Sequence, residues 1–353
     1  MVIKHIVLSG GGYLGLYELG VLQYLHDKNF YTHKNLKSIY GTSIGSLISA
    51  IICLNVSWED IIQYFEKRPW HKLMQITPTM VINVIHNKGL FDENIIKNIL
   101  LPFLKSNNLQ ENITLLEFYN KTHIELYIYT IDVNNYTSIE LSYKSFPDLS
   151  LIHAIYMSCC IPYIFQPFWL NNNYYIDGGL INNYPIVNCL NRIKNTTNVE
   201  IDMNIPNDIC VSKNIDMNAN VVLDTSYNAN TNIVVDNSSN TTIINSTLLT
   251  DEILGDEIQG DEILGIRFDT IQSTDGLKNN TNIFEYGYFL TKKIINSFSK
   301  NCRTNYPHIK HEIVISCIEQ NMNDVQDVLN NADKRKEFIT YGNTCAKIFL
   351  SSL

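Results

Sequence analysis

Twice within the first 54 residues a short apolar run stops at a glycine-bearing turn and is followed by an apolar stretch of helical spacing. Ile3 to Leu8 suits a buried strand, Gly10-Gly11-Gly12 breaks it, and Leu16, Leu19, Gly20, Leu22 and Leu25 then fall roughly on one helix face. Leu36 to Tyr40 is the second short strand and Gly41-Thr42-Ser43-Ile44-Gly45 the second turn. Ser46 to Leu54 is an apolar helix without a charge, which predicts burial. Strand, helix, strand, helix at this spacing argues an α/β fold with a parallel sheet flanked by helices. Adjacent parallel strands bring both turns to one sheet edge, and ligands gather at the carboxyl ends of such strands.

The second turn fits G-x-S-x-G between a strand and a helix. A serine held on so tight a turn needs neighbours without side chains two positions before and two after, here Gly41 and Gly45. The following helix directs its N-terminus at Ser43, and its N–H groups favour negative charge on an acyl oxygen. The plainer reading is that Ser43 caps that helix.

The first turn admits two readings. Gly10, Gly12 and Gly15 satisfy G-x-G-x-x-G, a dinucleotide pattern that also asks for an acidic residue about 20 positions on, at the end of the second strand. That strand leads instead into Gly41-Thr42-Ser43. The alternative is an oxyanion hole, in which the bare N–H groups of Gly11 and Gly12 face a developing alkoxide. The two turns taken together favour it.

A serine hydroxyl needs a base within hydrogen-bond reach. None of the nine histidines ends a strand ahead of turn glycines, and His153, on a helix, is a minor candidate. Tyr174-Tyr175-Ile176-Asp177-Gly178-Gly179 instead places a carboxylate at a strand end, held by two glycines. Asp177 can take the serine proton if its surroundings raise its proton affinity. Otherwise it shapes a turn.

Elsewhere, residues 58–105 read mostly helical with breaks at Pro69, Pro78 and Gly89. Ile124 to Val133 reads as a strand that Ile139 to Tyr143 can pair with, and Ser150 to Cys160 as a helix stopped by Pro162. From Asn191 to Thr250 the chain is dominated by Asn, Thr, Ser, Val and Ile. Asp251-Glu-Ile-Leu-Gly, Asp256-Glu-Ile-Gln-Gly and Asp261-Glu-Ile-Leu-Gly then repeat in tandem. Residues 191–264 are therefore expected to be a low-complexity surface insertion in one domain, made of a core at 5–190 and completed by 265–353. Helical periodicity returns at Phe284 to Phe298 and Lys334 to Leu350, with a strand at His311 to Cys317. Ile76 to Ile85 is apolar, and reads as core packing or as a lid or membrane contact that Met80→Asp with Val84→Asp would disrupt.

Composition narrows the partners. With 45% hydrophobic and 17% charged residues the chain can build a core, and a net charge of −9 leaves no global footprint for nucleic acid. Met1 to Ser9 is too short and polar-flanked for a secretory signal, and no run of about 18 apolar residues marks a membrane span. Eight cysteines without CxxC pairs read as reduced thiols. The expected location is cytoplasmic, with peripheral attachment to membrane.

At these residues the chain resembles the patatin-like phospholipase family. Gly10-Gly11-Gly12-Tyr13-Leu14-Gly15 with Gly20-Val21-Leu22 is similar to the family's oxyanion block, and Gly41 to Ser46 to its elbow. Tyr175 to Pro185 carries its Asp-Gly-Gly run and Asn-x-Pro, and Ala154 to Pro162 and Ile339 to Ala346 also look like family segments. The resemblance implies a three-layer α/β/α fold with a mainly parallel sheet, and lipid acyl hydrolysis by a Ser–Asp dyad without cofactor or metal. It implies Ser43 as nucleophile, Asp177 as proton acceptor, and Gly11 and Gly12 in the oxyanion hole. Membrane or micellar lipid is the implied substrate, and a protein activator is possible. One departure stands out: the family often has Arg or Lys where this chain has Leu14, which bears on rate and substrate preference. Leu14 and the insertion motivate the alternative, a catalytically weak or inactive lipid-binding member.

Overall fold

A computed structural model describes residues 2–202, 260–271, 306–318 and 322–353, with 277, 279, 281, 285–287, 289–290 and 293–294 between them. The chain divides into one compact unit of Met1–Ile193 with Gly260–Leu353 and a second of Lys194–Gln259. The sheet and the candidate site belong to the first.

The two strand–turn–helix units are β1 (His5–Leu8) with α1 (Gly15–Asp27), and β2 (Ser38–Thr42) with α2 (Ile44–Cys53). Every residue of β1 and β2 is buried, as strands of a sheet covered on both faces must be. Pro69 and Pro78 do break the next region, into α3 (Trp58–Lys67), α4 (Trp70–Leu73) and α5 (Pro78–Asn87). Gly89 opens a three-residue strand, β3 (Gly89–Phe91), before α6 (Asn94–Ser106) and α7 (Leu115–Thr122). Side-chain caps start several of these helices: Ser57 for α3, Thr77 for α5, and a full Thr114–Glu117 capping box for α7. Each cap is worth about 1 kcal/mol.

The expected pair of strands is β4 (Glu125–Asp132) with β5 (Thr137–Leu141), antiparallel. Ser150 caps α8 (Leu151–Cys159), which leads to the short β6 (Tyr163–Phe165) and β7 (Phe168–Leu170), then β8 (Asn173–Asp177) and α9 (Ile186–Asp202). Beyond the low-complexity tract come β9 (Ile263–Ile271), β10 (His311–Ile318), α10 (Met322–Asn330) and α11 (Ala332–Ser352). The main sheet runs β10-β9-β1-β2-β4-β8-β7 with β5 on β4, and the first five strands in that order are parallel.

Both faces of the sheet are covered. Side chains alternate along a strand, so Tyr40 and Gly41 of β2 point opposite ways. Gly41 lies against Gly45 of α2, while Tyr40 stacks on Tyr127 of β4, under Arg192 of α9. This is the three-layer α/β/α arrangement expected.

One expectation needs correcting. The third copy of the repeat, Asp261 to Gly265, falls within the expected surface insertion as far as residue 264. Ile263 to Ile266 instead pair with His5 to Leu8 in the middle of the sheet, and all four are buried. The apolar pair inside the repeat is what makes it a usable strand. The first two copies, and most of Phe284 to Phe298, lie outside the described residues.

The closing helix is where the tail of the sequence predicts it, and it packs on α1 through glycines on both sides. A Cβ on Gly20 would stand 2.0 Å from the Ile339 carbonyl oxygen, and one on Gly342 2.1 Å from that of Tyr17. Tyr17 and Phe338 stack beside this crossing with centroids 4.5 Å apart.

Candidate active site

Ser43 ends the β2 turn and caps α2 with φ +53° and ψ −125°, a left-handed backbone that strains any residue with a side chain. The flanking glycines permit the turn. A Cβ on Gly41 would come within 2.6 Å of the Gly45 backbone, and one on Gly45 within 2.7 Å of the Leu8 and Ser9 carbonyl oxygens. The second contact seats the start of α2 on the end of β1, and so sets the first glycine turn beside Ser43.

The strand pairing delivers Asp177 to the same place. Ile128 and Tyr129 of β4 pair with β2 on one edge and β5 on the other. Thr130 to Asp132 pair with β5 and with β8, so β8 takes the edge that β2 vacates. Asp177 sits opposite Thr130, one step beyond Thr42 opposite Tyr129. Ser43 Oγ donates to Asp177 Oδ2 at 2.6 Å, and the Gly179 N–H donates to Oδ1 at 2.7 Å.

Asp177 is 2% exposed. Burial pushes its carboxyl up to about 6, against the opposing pull of the Ser43 and Gly179 hydrogen bonds. The fold binds this proton more tightly than the unfolded chain. Stability is therefore lost as pH rises through the window from the ordinary carboxylate range to about 6, by about 3 kcal/mol. Asp177→Asn removes that dependence, and thermal melts at pH 5 and pH 8 read it.

The neighbouring groups hold this pair in place. The Ser43 N–H donates to Ser158 Oγ at 2.8 Å, and Ser158 Oγ donates to the Tyr129 carbonyl at 2.6 Å, which ties α8 to the elbow and to β4. Thr42 Oγ1 donates to the Asn182 carbonyl at 2.8 Å. Gly10 exchanges two hydrogen bonds with Asn183: its N–H reaches the Asn183 carbonyl at 3.0 Å and its carbonyl accepts from Asn183 Nδ2 at 3.1 Å. The Gly10 N–H is thereby committed, whereas the N–H groups of Gly11 and Gly12 have no acceptor among the described residues.

Gly10, Gly11, Gly12, Gly15, Ser43, Asp177 and Gly179 all line one cavity of 380 Å³. Gly41, Gly45 and Gly178 lie behind it as packing positions, Gly178 against the Tyr129 carbonyl. The rest of the wall is largely apolar, with Leu14, Phe65, Trp70, Ile96 and Phe268 among its side chains. Leu14 is buried there, so the position where a basic residue is common in the resembling family here adds apolar surface. Among the described residues the one cation on the wall is Arg335, which donates to the carbonyls of Glu66, Arg68, Val328 and Leu329 and is 4% exposed.

His153 is not brought to the site; its Nε2 lies 3.4 Å from Glu93 and its ring packs on Phe168. Ser158, Asn183 and Phe268 are the residues that sequence reasoning left out. Ser158 and Asn183 stand inside segments that carry the family resemblance, which was their signal. Phe268 packs on Gly11 from β9, beyond the low-complexity tract, and had none. Among the described residues no group of three or more His, Cys, Asp or Glu side chains is placed to hold a metal ion. No described helix is long and apolar enough to cross a membrane.

Chemically, the arrangement is a hydroxyl bonded to a buried carboxylate, beside two N–H groups without an acceptor among the described residues, at the end of an apolar cavity. The chain is 30% identical over 186 residues to "Probable lipid hydrolase 463L" of Invertebrate iridescent virus 6, covering 52% of this chain and 62% of that one. It is 29% identical over 163 residues to "Triacylglycerol lipase SDP1L" of Arabidopsis thaliana, covering 46% of this chain and 19% of that one. The matched region spans about three fifths of the length of the first three curated relatives, 62%, 60% and 64%. Among solved structures, VipD from Legionella pneumophila aligns with a TM-score of 0.40 at 14% identity, over 96% of this chain and 67% of that one. The family model described as Patatin-like phospholipase matches residues 6–190, more than half the chain and with it Ser43, Asp177 and both glycine turns, and the chain belongs to that family.

Proposed function

We propose that the chain is a lipid acyl hydrolase, working through Ser43 and Asp177 and acting peripherally at a lipid surface. The observation that carries this is the 2.6 Å bond from Ser43 Oγ to Asp177 Oδ2 at the end of an apolar cavity. Ser43 Oγ attacks the ester carbonyl carbon while its proton passes to Asp177 Oδ2. The negative charge on the carbonyl oxygen faces the N–H groups of Gly11 and Gly12, each such donor being worth about 3 kcal/mol. Collapse breaks the bond to the alcohol oxygen, which leaves with the proton from Asp177. Water then attacks the acyl-serine, gives a proton to Asp177, and the returned proton restores Ser43 as the fatty acid departs. A cavity of this size suits one apolar group such as an acyl chain.

Asp177 accepts a proton only when ionised, so kcat/KM rises with pH through a single ionisation near 6 and levels above it. A rate profile on a water-soluble ester checks this. The function itself is tested by fatty-acid release from phosphatidylcholine vesicles and from a triacylglycerol emulsion. Release from either, abolished in Asp177→Asn, supports the reading. No release from either by the folded wild-type chain contradicts it.

A further inference from the structure

The helix α5 is apolar on two faces, and only one of them is packed. Met80 and Val84 turn inward against the core, one helical turn apart. Val81, Ile82 and Ile85 share the opposite face and are 43%, 77% and 90% exposed. Ile76, just ahead of the helix, is 45% exposed and also lines the cavity, as does Met74. The outer face of α5 therefore continues into the apolar wall that leads to Ser43.

Charge sets this stretch apart. Residues 67–91 contain no Asp or Glu and four cations, Lys67, Arg68, Lys72 and Lys88, in a chain whose net charge is −9. Lys67, Lys72 and Lys88 are exposed, and Lys88 follows α5 directly. Acidic groups do come near: Glu66 precedes Lys67, Asp92 and Glu93 follow β3, which packs on α5, and α10, which packs on α4, carries Asp324 and Asp327; none lies on α5.

We propose that the outer face of α5 docks on a lipid bilayer bearing anionic headgroups, with Val81, Ile82 and Ile85 inserted and the flanking lysines at headgroup level. This rests on the proposed function for its purpose, since it seats the cavity mouth on the surface that holds the substrate. A helix with an apolar face edged by lysines lies in the membrane interface for these two reasons together. The face also revises the sequence-based test: Met80→Asp and Val84→Asp would strike the packed side and lower stability, whatever α5 touches.

The test is co-sedimentation with vesicles of equal parts phosphatidylcholine and phosphatidylserine, using the full chain on a Ser43→Ala background so that nothing is hydrolysed. Ile82→Asp with Ile85→Asp is expected to weaken binding by roughly tenfold or more. Ile348→Asp, at a residue 65% exposed on α11, is expected to leave it unchanged. Lys72→Glu with Lys88→Glu weakens binding in a salt-dependent way. With Ser43 restored, the α5 pair keeps full hydrolysis of a water-soluble ester and loses hydrolysis of vesicles. Equal vesicle binding by the α5 pair and its background overturns the proposal, as does equal loss in Ile348→Asp. It is also overturned if the background chain binds no vesicles and is a dimer that the α5 pair makes monomeric, for then the face belongs to a second copy. Vesicle binding without any ester hydrolysis counts against the proposed function alone.

Discussion

Ser43→Ala is expected to lower kcat for ester hydrolysis by roughly 10⁶, to the rate that binding and the oxyanion donors sustain by themselves. The loss is that large because the proposed acyl-serine route needs an oxygen at this one place, where β2 turns into α2 and Asp177 meets it at 2.6 Å. The fold survives the change, since alanine keeps the Cβ and the buried elbow around it. Asp177 loses one of its two donors and its carboxyl moves further up, which keeps it neutral and tolerable in a buried site. The backbone strain also predicts a sign. With φ at +53°, Ser43→Gly is more stable than Ser43→Ala by about 1 kcal/mol, although both are inactive. Steady-state rates and thermal melts of the three proteins read both statements.

The second large effect is on stability. Gly342→Ala is expected to cost about 3 kcal/mol or more, a shift visible as a fall in Tm. The added methyl stands 2.1 Å from the Tyr17 carbonyl oxygen, and main chain on both sides leaves nothing flexible to yield. The helices α1 and α11 must move apart, which loosens the Tyr17–Phe338 stack and the mirrored contact at Gly20. Because α1 starts at Gly15, at the end of the glycine turn, the same variant loses ester hydrolysis in the fraction that stays folded. A substitution at Thr340, which is exposed on the same helix, leaves both unchanged.

What is legible in the sequence is what short-range chemistry writes there. Gly10 to Gly12 and Gly41 to Gly45 mark where strands stop, and the apolar spacing after each marks a helix. Asp177 followed by two glycines marks a strand end. Parallel pairing then brings the two turns to one edge without further information.

What stayed hidden depended on partners far along the chain. Asp261 to Gly265 has the composition of the copies before it, and only its pairing with β1 makes it a sheet strand. β3, β6 and β7 are three residues each, too short to show a period. In α5 apolar residues occur on both faces, so periodicity gives no direction, and which side meets the core is settled by its neighbours. Ser158 works through a backbone N–H that any residue has, so its role is visible only once α8 is packed on β4.

Whether Ser43 is a nucleophile activated by Asp177 is read by labelling the folded chain with a fluorophosphonate and locating the adduct by peptide mass. One adduct is expected, on Ser43, absent in Ser43→Ala and strongly slowed in Asp177→Asn. A folded wild-type chain that takes no label, or takes it on another serine with Ser43 untouched, would contradict that role.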